Sequence, residues 1–174
     1  MTDGVLEFVT VSPSETLALG ATIAAWLEPG DILLLHGDLG AGKTTLGKGI
    51  AQALGIETVV SSPTFSLVNE YAVNHQAGLE GQSLRLVHLD LYRLEEDDLD
   101  SIGIDELLAS PNAVILVEWP ERAVAHLPDR YLLIEIRATE ADTRQFRFSA
   151  EPPDQRWQER LGTLGAMVFA SLRA

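Results

Sequence analysis

The chain has 174 residues, with 12 Lys and Arg against 26 Asp and Glu, for a formal charge of −14. That balance speaks against a protein that holds nucleic acid on its own, since such binding rests on cations that neutralise phosphates. It speaks equally against an anionic membrane surface, and the absence of cysteine excludes disulfides, thiolate metal sites and cysteine nucleophiles.

Apolar residues make up 46% of the chain, and a chain of this length buries roughly 70% of its unfolded surface. A single domain over residues 1–174 is expected. The longest apolar runs, such as Ala113 to Val117, are far too short to span a bilayer. No basic region followed by an apolar stretch opens the sequence, so no signal peptide is expected. The expected location is cytoplasmic, with no membrane partner.

Val5 to Val11 alternates in the manner of a strand. Ser12, Pro13 and Glu15 then predict a helix start, with Ser12 as cap, Pro13 in the first turn and Glu15 completing a capping box. Leu17, Ala21, Ala24, Ala25 and Leu27 follow at helical spacing. Pro29-Gly30 is a turn, and Ile32 to Leu35 suits a strand buried on both faces of a parallel sheet. A glycine-rich loop and a helix ending near Gly55 come next. Residues 57–65 read as a loop. Ser66 to Val73 and Leu84 to Leu89 read as strands around a polar loop, and Ala113 to Val117 as a further buried strand. Tyr131 to Arg137 and Arg144 to Phe148 form a late strand pair. After Pro152-Pro153, a last helix sets Trp157, Leu161, Leu164, Val168 and Leu172 on one face. The class is α/β: a mixed, mainly parallel sheet flanked by helices, with a C-terminal helix.

Gly37-Asp38-Leu39-Gly40-Ala41-Gly42-Lys43-Thr44 matches G-x-x-x-x-G-K-[ST], the Walker A pattern of P-loop NTPases. The glycines permit the turn and the close approach of backbone amides to phosphate. The following helix adds its positive dipole end. Lys43, one of only two lysines, reaches the outer phosphates, and the Thr44 hydroxyl ligates Mg²⁺. Such a site needs a carboxylate at a strand end. Glu118, after four or more apolar residues, fits the pattern better than Asp90, which ends a less clean strand. One acid would hold the metal while the other orients water. Thr64, in Ser62-Pro63-Thr64, lies where switch segments of P-loop proteins meet the outer phosphate, though an ordinary turn reads the same way.

With these residues in place, the chain resembles the TsaE (YjeE) family of bacterial tRNA threonylcarbamoyladenosine synthesis. The resemblance rests on the run from Gly37 to Thr45, Ser62 to Phe65, His88 to Arg93 (His-Leu-Asp-Leu-Tyr-Arg), Gly103 to Glu106 and Val117 to Glu121. It implies a P-loop ATPase that uses ATP and Mg²⁺ and acts with the proteins TsaD and TsaB, meeting tRNA only through that complex. It implies nucleotide contacts from Gly37, Asp38, Leu39, Gly40, Ala41, Gly42, Lys43, Thr44, Thr45 and Trp119. Thr44, Asp90 and Glu118 form its metal side. Asp90 becomes the Walker B-like acid, Glu118 joins the metal and water site, and Thr64 belongs to a switch-like loop. Turnover is expected to be slow without partners, from a monomer or weak dimer.

Other features carry two readings. Arg93 is a trigger residue for phosphate or partner, or a surface ion pair with Glu95 and Glu96. His88 reads as a structural histidine before a catalytic one, its nitrogens unassigned. Glu95 to Asp98 is a solvated helix start or a docking face for a basic partner. Trp26 and Trp157 read as packing. Two other functions fit a P-loop chain of this size: a small-molecule kinase, although Tyr92 to Ala109 contains only Arg93 as a base where a lid needs several, and a nucleotide-dependent binding module.

Overall fold

A computed structural model describes residues 5–56, 67–73 and 84–171. Thr64 with its Ser-Pro-Thr-Phe motif, and Leu172, lie outside the described residues. Among the described residues the strands are β1 (Val5–Thr10), β2 (Ile32–His36), β3 (Val68–Ala72), β4 (Arg85–Asp90), β5 (Ala113–Glu118), β6 (Tyr131–Ala138) and β7 (Arg144–Glu151). The helices are α1 (Pro13–Ala24), α2 (Lys43–Ala53), the short α3 (Glu96–Leu99) and α4 (Ile104–Leu108), and α5 (Gln155–Ser171).

The strands form one sheet in the order β1-β7-β6-β2-β5-β4-β3. The pairs β6·β2, β2·β5 and β5·β4 are parallel, and β1·β7, β7·β6 and β4·β3 are antiparallel. The expected mixed sheet is present, but parallel pairing is confined to its centre and does not outnumber the antiparallel pairs. The reason is the hairpin joining β6 to β7, which brings β7 and then β1 on as an antiparallel flank.

Period-two alternation sorts β2 between two cores. Leu33 and Leu35 pack with Ile23 of α1, Ile50 of α2 and Leu164 of α5. Ile32 and Leu34 face Leu99, Ile104 and Leu108 on the other side. The expected stripe Trp157, Leu161, Leu164 and Val168 is buried. Helices α1 and α2 touch backbone to backbone. A Cβ at Gly20 would fall 2.5 Å from the Leu46 carbonyl oxygen, and one at Gly49 2.9 Å from Leu17 Cα. This contact holds α2, and hence the loop before it, against the sheet.

Helix starts differ in detail from the expected caps. The Ser12 Oγ accepts the Glu15 amide at 3.1 Å. The Glu15 carboxylate, however, accepts from the Val11 amide at 2.9 Å, one residue before the cap. Glu95 and Asp98 do form a reciprocal capping box, so the local reading of that acidic run as a helix start holds. Before α5, Asp154 Oδ1 accepts the Trp157 amide at 2.9 Å, and this bond chiefly holds its carboxyl below the usual range.

Candidate nucleotide site

Strand β2 ends at His36, and residues 37–42 carry the chain into α2. Gly42 caps that helix at φ 115°, and Gly40 sits at φ 78°, both in the left-handed region where a Cβ is disfavoured. Gly37 is required for a different reason: a Cβ there would collide with the Ile136 carbonyl oxygen of β6. The loop is therefore pressed against the sheet on one side and open on the other.

Lys43, the first residue of α2, is 5% exposed. Its Nζ donates to the carbonyls of Gly37 and of Asp38, the latter at 2.9 Å. The ammonium also lies 3.9 Å from the Trp119 ring centroid, a cation–π distance. Burial lowers its pKa below 10.5, while Glu118, Glu121, Asp90 and Asp38 pull it back up.

The two candidate acids are brought together by register. In the parallel pair β4·β5, Asp90 lies opposite Glu118, on the face that Leu86 and Leu116 turn to the α2 core. Both are nearly sealed, at 3% and 2% exposure. The Thr44 hydroxyl approaches both Glu118 oxygens, at 3.3 and 3.4 Å. Glu118 Oε1 also lies 2.9 Å from His88 Nε2. Asp90 Oδ1 accepts the Tyr92 amide at 3.0 Å, bending the chain out of β4. Carboxylates beside a threonine hydroxyl are hard oxygen donors, the kind that Mg²⁺ takes together with phosphate.

Trp119 follows Glu118 at φ 61°, ψ 50°, a strained conformation for a residue of its size. Its ring packs on Tyr92 with centroids 4.7 Å apart. A cavity of about 410 Å³ opens between these groups, within the range of small-ligand sites. Leu39, Gly40, Ala41, Gly42, Lys43, Thr44 and Thr45 line one wall; Asp90, Tyr92, Arg93, Glu118 and Trp119 line the other. Gly37 and Asp38 stand behind Lys43 as its carbonyl partners, and Leu39 is largely exposed at the rim.

Two participants were not singled out from the sequence. Arg144, at the start of β7, lies beside the loop: a Cβ on Gly42 would be 3.8 Å from its Cγ and Nε. Its Nη1 donates to the carbonyls of Glu140, Ala141 and Thr143 at 3.0–3.2 Å, tying the β6–β7 hairpin. No local pattern marks it, because the hairpin reaches the loop only once the sheet is assembled. Glu121 stands 3.9 Å from His36 and acts on Lys43 through its charge. Its place in the Val117 to Glu121 motif was the available signal.

A buried strand, a glycine loop closed by a helix start, and two acids in register on the neighbouring parallel strands define a nucleotide-binding α/β protein of the P-loop class. A sequence profile for "Threonylcarbamoyl adenosine biosynthesis protein TsaE" matches residues 10–146. The tRNA threonylcarbamoyladenosine biosynthesis protein TsaE of Bacillus subtilis strain 168 is 42% identical over 145 residues, covering 83% of this chain and 85% of that protein. The protein of the same name from Nostoc sp. PCC 7120 is 35% identical over 146 residues, covering 82% and 85%. The crystal structure of Bacillus subtilis YdiB matches with a TM-score of 0.73 at 36% identity, over 93% of this chain and 95% of that one. The chain belongs to the TsaE family.

Proposed function

We propose that the chain is a Mg²⁺-dependent ATPase that supports formation of the threonylcarbamoyl group on the adenosine next to the anticodon of tRNAs, acting in the cytoplasm with TsaB and TsaD. The observation that carries the reading is the convergence of Lys43, Thr44, Asp90 and Glu118 on one cavity. Family membership supports the pathway, since the relatives are named for tRNA threonylcarbamoyladenosine biosynthesis.

In this reading the main chain of Gly40 to Thr45 and the N-terminus of α2 hold the phosphates. Lys43 supplies positive charge at the cavity floor, and the Trp119 ring covers it. Thr44, Glu118 and Asp90 would hold Mg²⁺, which when bound neutralises charge on the phosphates. Glu118, fixed by its hydrogen bonds, also orients the attacking water. Thr64 completes the outer-phosphate side as a switch residue. Turnover is slow until TsaB and TsaD are added, and tRNA is held by those partners. Phosphate release measured alone, then with TsaB and TsaD, then with tRNA, tests this. Strong stimulation by the two proteins is expected; full turnover by the isolated chain would contradict it.

A further inference from the structure

His88 lies inside β4, two residues before Asp90, and is wholly buried. Its Nε2 stands 2.9 Å from Glu118 Oε1, and its Nδ1 has no hydrogen-bond partner among the described residues. Helix α2 closes over the ring at Gly47, where an added Cβ would lie 3.8 Å from His88 Cε1.

The proton inventory follows from those contacts. A carboxylate oxygen accepts, so Nε2 must carry the hydrogen that joins them. The tautomer with its only hydrogen on Nδ1 would set a lone pair against the carboxylate and lose the bond. A ring with its hydrogen on Nε2 keeps it.

We propose that His88 is a positioning residue of the nucleotide site: its Nε2–H donates to Oε1 of Glu118 and fixes that carboxylate. Oε1 is held from the core side by the ring, and the Thr44 hydroxyl stands at 3.4 Å from Oε2 on the cavity side. The carboxylate is thereby restricted to one orientation before any ligand arrives. This parallels the hydrogen-bonding partners behind metal-site carboxylates, whose loss costs 10–100-fold in metal affinity or activity. The proposal rests on the reading of Glu118 as a metal- and water-facing acid.

The test has two arms. Long-range ¹H–¹⁵N spectra of the ligand-free protein, labelled at histidine, are expected to show a His88 ring with a proton on Nε2. A ring with its proton on Nδ1 alone overturns the proposal. In the second arm His88→Leu removes the donor and His88→Gln restores an amide N–H in its place. His88→Leu is expected to lower kcat and apparent Mg²⁺ affinity by about 10–100-fold, with ATP affinity in EDTA changed less than about threefold. His88→Gln is expected to recover most of the loss. Equal loss in both variants, or loss in neither, overturns it; should His88→Leu fail to fold, His88→Gln and the spectra decide. A wild-type chain that binds no ATP defeats the ATPase reading and leaves the tautomer result standing on its own.

Discussion

Just before β2, Asp31 is buried with its charge matched on all sides. Arg160 of α5 donates to its two oxygens at 2.8 and 2.7 Å, and the Glu28 amide adds a bond of 2.8 Å. The guanidinium lies between two rings, 4.2 Å from the Trp26 centroid and 4.8 Å from that of Trp157. The Trp26 indole in turn donates to the Arg160 carbonyl at 2.7 Å. Beyond the other end of the same strand, Lys43 is bonded to main-chain carbonyls, and two acidic residues stand in register on neighbouring strands. Both regions bury charge. The first uses it up within the fold, clamping α5 to the sheet. The second keeps a cation on partners that an anion can replace and sets like charges side by side, an arrangement that costs stability. The contrast separates residues that hold the protein together from residues proposed to act on nucleotide.

The sharpest way to break this comparison is to exchange the effects. Arg160→Ala leaves Asp31 buried without its partner and should cost about 3–5 kcal/mol in chemical denaturation, while the ATP affinity of the folded fraction stays unchanged. A loss of ATP binding in the folded protein would erase the distinction. Lys43→Ala should do the reverse: ATP affinity measured by calorimetry falls about 100-fold, or about 2.7 kcal/mol, and the melting temperature holds or rises. A large drop in melting temperature would mean that Lys43 is structural.

A smaller effect sharpens the contrast through pH. Burial depresses the Lys43 pKa below 10.5 in the free protein, and bound phosphate raises it. ATP affinity is therefore complete below the free-state pKa and falls as pH rises through it, by at most about tenfold per unit. An affinity that stays flat up to pH 10.5 contradicts this. Arg160 predicts no matching limb, since its charge is already paired.

The sequence made these two regions visible to very different degrees. The nucleotide loop was legible because its chemistry is local: glycines, Lys43 and Thr44 act within eight consecutive positions, so their spacing alone implies the cradle. The alternating and continuous apolar runs placed β2 and β5 for the same reason. Asp90 was harder. The apolar pattern favoured Glu118, and only strand register shows that the two acids face one cavity. The Arg160–Asp31 clamp left no trace, because its partners lie 129 positions apart and an Arg–Asp pair has no sequence signature at that distance. Trp26 and Trp157 pack as their helical spacing predicts, but nothing in that spacing marks the guanidinium between them. The bond from His88 to Glu118 joins two strands and needed the sheet to be seen.

If Glu118 acts on nucleotide that other groups hold, ATP binding and phosphate release part company when it is changed. Both are to be measured on the same samples of wild type and Glu118→Gln, with Mg²⁺, TsaB and TsaD present. The expected result is binding within about threefold of wild type and release slowed by about 10²–10³-fold, the size of a lost transition-state contact. Release at the wild-type rate, or binding and release lost in equal measure, would contradict the account.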